Sequence, residues 1–545
     1  MAHDTLVDPP PASPDSAPPE RLAHAAGLAG AATLTSRILG LVREQVLAAL
    51  FGAGDTMDAF NVAFRIPNLV RDLFAEGAMS SAFVPTFTKH LTLHGKADAW
   101  RLGNNVINAL LLVTGVLVVL GYAFAGPLVT LFAPSFGAVP GKLELTIALA
   151  RVMVPFLALV AVAAAMMGML NSLRHYFIPA VSPATFNVVA IVFAVGLTPL
   201  MPSFGQPRIM SMAIAALVGG LMQVLVQWPS LHKEGFRYRP VLDLRDPGLH
   251  QVLVLMGPGS VGLAATQLNL FVTTILATGQ GTGAVSWLQY AFRVMYLPLG
   301  LFGVSIATAV LPSAARHAAL DDRLAIRATV SRGLALMLVV NLPATCGLIA
   351  LSHEIIRLLL ERGRFTEADT VATAWALRLY AIGLVGYSTT RIASPVFYAI
   401  GRSRVPVLLS GVSVTANLVL SLVLVRAMGF GGLALATSCA ALLNASMCVW
   451  LLRGELGGIG ARQLLPVLGK VAIASAVMTG VVLAASRSLA SAVSGSGTVV
   501  LAVNLMVSIG AGLVALLIAA RLLGIAEVET LTAEARRRVQ KLLAR

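Results

Sequence analysis

The chain has 545 residues, of which 57% are hydrophobic and only 12% charged, and its mean hydropathy is +0.84. This composition excludes a soluble globular protein and favours an integral membrane protein. The formal net charge of +15 is spread over short segments between apolar runs, so it reports membrane topology and argues against a nucleic-acid-binding domain. All three cysteines lie inside apolar runs, which favours packing roles, and no metal site is predicted.

Apolar stretches of about 20 residues, long enough to cross the hydrocarbon core of a bilayer, recur along almost the whole chain. They predict an all-α polytopic membrane protein with about fourteen transmembrane helices. The first six spans lie near 28–50, 57–88, 104–132, 145–171, 181–201 and 209–230. The next six lie near 249–277, 283–314, 331–351, 370–400, 406–426 and 431–453, followed by 464–486 and 497–522.

Loop charges and the two ends of the chain predict the orientation. Lys and Arg concentrate in loops after even-numbered spans, so the positive-inside rule places both termini in the cytoplasm. Residues 1–26, rich in Pro, Ala and Asp, lack the pattern of a signal peptide and predict a disordered cytoplasmic tail. Residues 524–545 predict a basic amphipathic helix on the cytoplasmic membrane surface, or else a plain solvated helix.

The chain contains an internal repeat that appears at a shift of 227 residues. The shift aligns Pro85 and His90 with Pro312 and His317, Arg151 with Arg378, and Pro179 with Pro406. Chance alignment of common residue types is the alternative. Because each copy contains an even number of spans, the copies share one orientation and are related by an axis along the membrane normal. We expect one lobe at 27–240, a second at 241–455, and the substrate between them.

Ionisable residues inside apolar spans are the strongest functional signal, because each costs roughly 2.5–3.5 kcal/mol near the bilayer centre on insertion scales. The first two spans concentrate them: Arg37, Arg43, Glu44, Asp58, Arg65, Arg71, Asp72 and Glu76. Residues seven apart share a helix face, so Asp58 and Asp72 can neutralise Arg65, as Glu44 can neutralise Arg37. Arg43 and Arg71 lie off these stripes, without an evident partner on their own helices, which makes them better ligand candidates unless other helices pair them.

The second half carries similarly placed cations, with Arg293 in the eighth span and Arg378 and Arg391 in the tenth. We rank Arg65, Arg378 and Arg391 below the other arginines as candidates. A cavity lined by guanidinium groups would bind phosphate oxygens in bidentate fashion, so we expect an anionic substrate. Isolated cations without carboxylates argue against a proton relay or a cation exporter.

Proline and glycine within the spans predict hinges, at Pro67, at Gly257-Pro258-Gly259 and at Pro298. Such breaks free backbone groups and are used by transporters for alternating access, with static kinks as the alternative. The sequence contains no Walker loop, HExxH or nucleophile elbow. We therefore predict neither an enzyme nor a bound cofactor.

A long motif block in the first two spans resembles the MurJ (MviN) family. It comprises SRILGLVRE at 36–44, FGAG at 51–54, DAF at 58–60, PNL at 67–69, FAEGA at 74–78 and AFVP at 82–85. The resemblance continues through Ser286-Trp287 and Arg293 and covers nearly the whole chain except its tails. It implies the fold of the MOP exporter superfamily, with two six-helix lobes in a V and two C-terminal helices, here 456–523, that form a groove for a lipid tail.

The resemblance also implies a function, which is to flip lipid II, the undecaprenyl-diphosphate-linked peptidoglycan precursor, across the bacterial inner membrane. By position, Arg37, Arg43, Arg71 and Arg293 match the family's cavity arginines, and Asp58, Glu76 and Ser286 match further polar residues of its motifs. We assign the arginines to the pyrophosphate and headgroup. Membrane lipids and cell-wall synthesis proteins are the other expected partners, and nucleic acid is not one.

The chain departs from the family pattern in two places. Phe292 and Tyr296 flank Arg293, where members often carry acidic residues, and carboxylate ligands for sodium are not evident in the seventh, eleventh and twelfth spans. Coupling to membrane potential or to a monovalent cation therefore stays open. The alternative functions are a flippase for another polyprenyl-diphosphate-linked glycan of the O-antigen type, a MATE-like drug antiporter, and a membrane scaffold that transports nothing.

Overall fold

The computed structural model describes residues 19–72, 82–492, 497–528 and 540, and every regular element in these ranges is helical. The first half contains α1 Pro19–Phe51, α2 Asp55–Arg71, α3 Val84–Leu93, α4 Gly95–Ala123, α5 Ala125–Phe132, α6 Lys142–Met153, α7 Phe156–Ser172, α8 Phe177–Gly196 and α9 Met210–Lys233. The second contains α10 Pro247–Thr278, α11 Ala284–Pro298, α12 Val304–Ala319, α13 Arg323–Ala350, α14 Ser352–Leu360, α15 Glu367–Ile382, α16 Leu384–Ala399, α17 Arg404–Met428 and α18 Phe430–Glu455. The helices α19 Ala461–Ala492 and α20 Thr498–Leu522 follow.

The predicted repeat is visible in the helix boundaries. Adding 227 to the bounds of α4 gives 322–350, and the observed α13 is Arg323–Ala350. The same shift moves α7 to 383–399, against Leu384–Ala399 for α16. A short helix follows in each half, since the same shift moves α5 to 352–359 and the observed α14 is Ser352–Leu360. The two copies therefore preserve the positions of helix starts and stops as well as isolated residues.

Several predicted spans are divided by backbone breaks that occur at corresponding places. The fourth span divides into α6 and α7 at Val154 and Pro155, and the tenth divides into α15 and α16 at Gly383. Proline lacks the N–H that would continue a helix, and glycine is the weakest helix former apart from proline, so the break arises from different residues in the two copies.

The predicted hinges fall at unlike positions. Pro67 lies buried inside α2. Pro298 is the last residue of α11, and a π-helical turn, Leu299–Gly303, follows it directly. Such turns occur where the regular ladder is interrupted, often at functional sites. The run Gly257–Gly259 lies within the continuous backbone of α10, and its role as a hinge stays a prediction.

The all-helical membrane fold is confirmed. Among the described residues, nine helical stretches are long and apolar enough to cross a membrane. The second and eighth predicted spans contain α2 and α11, which have 17 and 15 residues. The expected total of about fourteen spans stays a prediction.

Contacts divide the chain into two compact units, each described here by itself. The first comprises 1–43, 74–119 and 155–257, and the second 44–73, 120–154 and 258–545. The first unit packs around Phe83, Phe87, Trp100 and Phe236, whose rings follow one another at centroid distances of 5.4, 5.7 and 5.4 Å. The predicted lobe boundaries are not those of these units and stay predictions.

The second unit has its main core among α12, α13, α16 and α18, and a smaller one where α19 and α20 meet α13. Glycine permits a close contact between two helices of this unit. An added Cβ on Gly386 of α16 would lie 2.7 Å from the backbone carbonyl of Ala441 on α18. Small residues at helix interfaces let backbones approach in this way inside membranes.

We expect Gly386→Ala to lower the thermal unfolding midpoint in detergent, because overpacking costs roughly 1–3 kcal/mol. The matched control is Gly411→Ala in α17, where an added Cβ would meet nothing within 4 Å. That change should leave the midpoint unchanged or raise it slightly, since alanine is the better helix former by about 1 kcal/mol. Equal midpoints for the two variants would show that α16 and α18 can move apart without loss of stability.

Candidate functional site

A buried ion network joins the beginning of α2 to the beginning of α6. The side chain of Asp58 is 0% exposed and that of Lys142 only 3%. The ammonium of Lys142 donates to Asp58 Oδ2 at 3.1 Å and to Asp55 Oδ1 at 2.7 Å, and it lies 4.2 Å from the centre of the Phe136 ring. A lysine at a helix N-terminus opposes the helix dipole, so these two carboxylates are needed to stabilise it there.

The same carboxylate of Asp58 caps α11. Gly283, the residue before that helix, has φ +91° and no side chain with which to cap it. Asp58 accepts the Gly283 N–H at 2.8 Å, the Ser286 N–H at 3.0 Å and the Ser286 hydroxyl at 2.7 Å. These are N–H groups that a capping side chain normally satisfies from within its own helix. A Cβ at position 283 would lie 2.6 Å from the carbonyl oxygen of Ala53, so glycine is required here.

Two further side chains extend this network, which we call the α2–α11 clasp: Asp55, Asp58, Asn61, Lys142, Thr282, Gly283 and Ser286. Asn61 Nδ2 donates to Ser286 Oγ at 3.2 Å, and Thr282 Oγ1 donates to Asp55 Oδ1 at 2.8 Å. The predicted substrate residues Asp58 and Ser286 are therefore bonded to each other. Sequence reasoning missed Lys142, although a lysine at the start of an apolar run, shortly after Gly141, is a visible signal.

A cavity of about 280 Å³ lies in the second unit, beyond the clasp along α2 and α11. Its charged walls are Arg65 from α2 and Arg293 from α11. Its other walls include Asn61, Asn269, Thr273, Gln289, Phe292, Tyr380, Tyr387 and Thr437. The described lining thus combines two guanidinium groups with amides, hydroxyls and aromatic rings, and no carboxylate is among these described residues.

Arg65 is the unusual member of this wall. Its Nε and Nη2 atoms are buried and have no hydrogen-bond partner among the described residues. The expected neutralisation by Asp58 and Asp72 is not made, because Asp58 binds Lys142 and Asp72 accepts from Arg71 and Gln267. Burying a charged group without a partner is costly, and the guanidinium cannot lose its proton. The arrangement favours binding of an anion.

Two other predicted arginines have partners in this structure. Arg293 forms an ion pair with Glu44 from the end of α1. Arg71, expected to lack a partner on its own helix, donates to the adjacent Asp72 through Nε at 3.1 Å and Nη2 at 2.8 Å. That expectation was wrong because it considered only residues one or two turns away, whereas a neighbour at the helix end folds back.

The remaining sequence candidates lie elsewhere. In the first unit, Arg37 is half-buried and the Arg43 guanidinium lies 5.6 Å from the centre of the Phe186 ring. Arg378 is exposed and donates to Ser352 Oγ at 2.6 Å, and Arg391 bonds the hydroxyl of Tyr296. Neither Arg378 nor Arg391 lines the 280 Å³ cavity. Glu76 lies outside the described residues.

Aromatic rings surround Phe292, one of the two departures from the family pattern. Its ring centre lies 5.7 Å from Tyr296, 5.4 Å from Tyr380 and 6.3 Å from Tyr387. Two members of this cluster, Phe292 and Tyr296, stand where members of the family often carry acidic residues. The cavity therefore has an apolar side beside its guanidinium groups.

Comparison with known proteins identifies the family. The model of the lipid II flippase MurJ family matches residues 47–503. This chain belongs to the MurJ family. It is 36% identical over 461 residues to the probable lipid II flippase MurJ of Rhizobium meliloti, covering 82% of this chain and 84% of the relative. It is 33% identical over 477 residues to the probable lipid II flippase MurJ of Vibrio cholerae, covering 85% and 89%.

Solved structures agree with that membership. A lipid II flippase MurJ in an inward closed conformation superposes with a TM-score of 0.75 at 27% identity, covering 91% of this chain and 99% of that one. An inward-facing multidrug resistance MATE family transporter of the MOP superfamily gives a TM-score of 0.66 at 15% identity, covering 79% and 98%. The second likeness concerns the fold alone. The expected MOP fold is thus confirmed.

Substitution of the clasp should reveal how much it stabilises the second unit. We expect Asp58→Asn to lower the thermal unfolding midpoint strongly, because breaking a buried ion pair costs up to about 3–5 kcal/mol. The control is Asp55→Asn, which touches the same lysine through a side chain that is 41% exposed. It should cost less, nearer the roughly 0–1 kcal/mol of exposed pairs. If both variants melt alike, the capping of α11 contributes nothing beyond the shared lysine contact.

Proposed function

We propose that this protein flips lipid II from the cytoplasmic to the periplasmic leaflet of the bacterial inner membrane, by alternating access and with both termini in the cytoplasm. Membership of the MurJ family supports a membrane transporter as its general role. The structural observation that carries the substrate class is that two buried guanidinium nitrogens of Arg65 lack a hydrogen-bond partner among the described residues, in a cavity shared with Arg293.

A diphosphate suits this cavity chemically. Its oxygens accept from guanidinium N–H groups in pairs, with charge-assisted bonds about twice as strong as neutral ones. An anion at Arg65 would also offset the desolvation of that side chain. The headgroup extends well beyond two phosphates, so we assign Arg37, Arg43 and Arg71, together with Glu76, to the headgroup as predicted. Phe292 and the tyrosines near it supply flat apolar surface beside the phosphates.

The clasp fits a gate better than a ligand site. Ser286 is bonded to Asp58, and Asp58 is also bonded to Lys142, so we propose that these side chains hold the starts of α2 and α11 together in one state. To separate the starts of α2 and α11, these hydrogen bonds would have to be replaced by hydrogen bonds to water. The proline positions, including Pro298 with its π-helical turn, supply the backbone freedom for such a change.

The alternative functions differ in their substrate, and each of them is compatible with the fold. A flippase for another polyprenyl-diphosphate-linked glycan would use the same phosphate contacts, and only substrate tests separate it. The likeness to a MATE structure suggests a drug antiporter, but the two chains share only 15% sequence identity, so the likeness concerns the fold alone. The described lining of the cavity is cationic, which disfavours cationic drugs.

We also propose that transport is coupled to the membrane potential or to a monovalent cation. The proposal includes no bound cofactor.

The substrate assignment can be tested in bacteria depleted of their own flippase. Expression of this protein should restore the access of lipid II to an enzyme added outside the cell. Arg65→Gln and Arg293→Ala should reduce that access about ten- to a hundredfold at equal expression, since each removes charged hydrogen bonds of about 1.5–3 kcal/mol. Arg378→Gln, an exposed arginine outside the cavity, is the control and should transport normally.

If the unsubstituted protein is well expressed and lipid II stays inside, the substrate is another polyprenyl-linked glycan. If Arg65→Gln transports as well as Arg378→Gln, the cavity is not the substrate path.

The stability of Arg65→Gln gives a second, independent prediction. Because two guanidinium nitrogens of Arg65 are buried without a hydrogen-bond partner among the described residues, its replacement should leave the thermal unfolding midpoint unchanged or raise it. Loss of transport without loss of stability is typical of residues retained for function. A lower midpoint in purified Arg65→Gln would show instead that Arg65 stabilises the fold.

A further inference from the structure

The turn between α3 and α4 brings two histidines and an aspartate together in the first unit. His90 Nδ1 lies 2.6 Å from Asp98 Oδ2, and His94 Nδ1 lies 3.7 Å from the same oxygen. His94 and Asp98 are exposed, with 57% and 41% of their side chains accessible, and His90 is 21% exposed. No other group of three or more His, Cys, Asp or Glu side chains among the described residues is close enough to hold a metal ion.

The local sequence explains why these side chains meet. His90 and His94 are four residues apart, so they lie on one face of α3, and their ring centres are 5.4 Å apart. Gly95 then takes φ +83°, a conformation that glycine adopts without strain, and α4 begins at once. Asp98 lies in the first turn of α4, where the helix dipole favours a carboxylate. The carboxylate thus faces both imidazoles across a one-residue turn.

We propose that His90, His94 and Asp98 form a binding site for a late first-row divalent cation such as Zn²⁺, a site independent of the substrate cavity. The ligand atoms would be both Nδ1 atoms and one carboxylate oxygen. Tetrahedral zinc with bonds of about 2.0–2.2 Å holds its ligand atoms about 3.3–3.5 Å apart. The observed separations of 2.6 and 3.7 Å bracket that value, so small side-chain rotations suffice. Water would complete the coordination.

The far side of His90 is also suited to a ligand. An added Cβ on Gly248, in the first turn of α10, would lie 3.0 Å from His90 Nε2 and 3.1 Å from Asp246 Oδ1. Glycine therefore leaves the second imidazole nitrogen and this carboxylate facing the same small space. Metal-bound histidines characteristically direct their other nitrogen toward a carboxylate, a carbonyl or water, which fixes the ring.

Neighbouring cations do not compete for the aspartate. Lys96 donates to Glu234 at 2.9 Å, and His175 Nε2 lies 2.9 Å from the other oxygen of Glu234. These hydrogen bonds, that of Lys96 foremost, hold the pKa of Glu234 below its usual value. The second repeat provides a contrast, because His317 corresponds to His90 while positions 321 and 325 hold Asp and Ala. Only the first copy carries the complete set.

The test is calorimetric titration of Zn²⁺ into the full-length protein in detergent, without a histidine tag. We expect one saturable site, weakened at least about tenfold in both His94→Ala and Asp98→Asn, since losing even an outer-shell partner costs about 10–100-fold. His175→Ala and His317→Ala are controls with exposed or half-buried histidines outside the set, and they should bind as the unsubstituted protein does.

Cobalt provides a second readout. Co²⁺ at the site should show visible absorption bands that disappear on addition of Zn²⁺ and are absent in His94→Ala. The proposal is overturned if the unsubstituted protein shows no saturable binding. It is also overturned if the controls lose binding as much as His94→Ala and Asp98→Asn do. Asparagine at position 98 can still form a hydrogen bond to His90, so we expect Asp98→Asn to fold, and its thermal unfolding midpoint will check this. The test therefore stays valid even if His94→Ala misfolds.

Discussion

The second unit depends on one carboxylate that performs two tasks. Asp58 neutralises the buried ammonium of Lys142 and supplies the cap that Gly283 cannot give to α11. Each task alone would leave a buried charge or orphan N–H groups, which is costly inside an apolar bundle. Because one side chain satisfies both, α2, α6 and α11 have a fixed register relative to one another in this unit. The positions of Arg65 and Arg293 follow, since they lie on the same two helices, one or two turns farther along.

The clasp and the cavity have opposite electrostatic character. The clasp contains two carboxylates for one lysine, and the excess negative charge faces the N-terminus of α11, where the helix dipole stabilises it. In the cavity, the buried Nε and Nη2 atoms of Arg65 have no hydrogen-bond partner among the described residues. The clasp therefore has hydrogen-bond partners for its carboxylates and its lysine, whereas Arg65 keeps two unsatisfied nitrogens where we propose that substrate binds. Natural proteins commonly retain this kind of local instability at functional sites.

Sequence reasoning succeeded where a single helix or a period carries the information. Apolar runs predicted the helical membrane fold, and the repeat read from the sequence at a shift of 227 residues also relates observed helix boundaries such as those of α4 and α13. It failed where partners come from distant segments. The stripe of Asp58, Arg65 and Asp72 is real as helical geometry, but Asp58 finds Lys142, 84 residues away, and leaves Arg65 without it. The spacing of residues along a helix predicts the face on which a side chain lies. Its partner depends on how distant helices pack together, which no local sequence pattern shows.

The repeat explains why such contacts are hard to predict. At the time of a duplication, the two segments carry the same residues at equivalent positions. A hydrogen bond between the segments needs a donor on one of them and an acceptor on the other. At the clasp the copies have diverged accordingly: Asp58 corresponds to Val285, and Ser286 corresponds to Ala59. Arg65 likewise corresponds to Phe292, so the two sides of the cavity wall differ, one cationic and the other aromatic. The positions of the helices are thus kept in both copies while their side chains have become complementary, and that asymmetry lets two related helices bind each other.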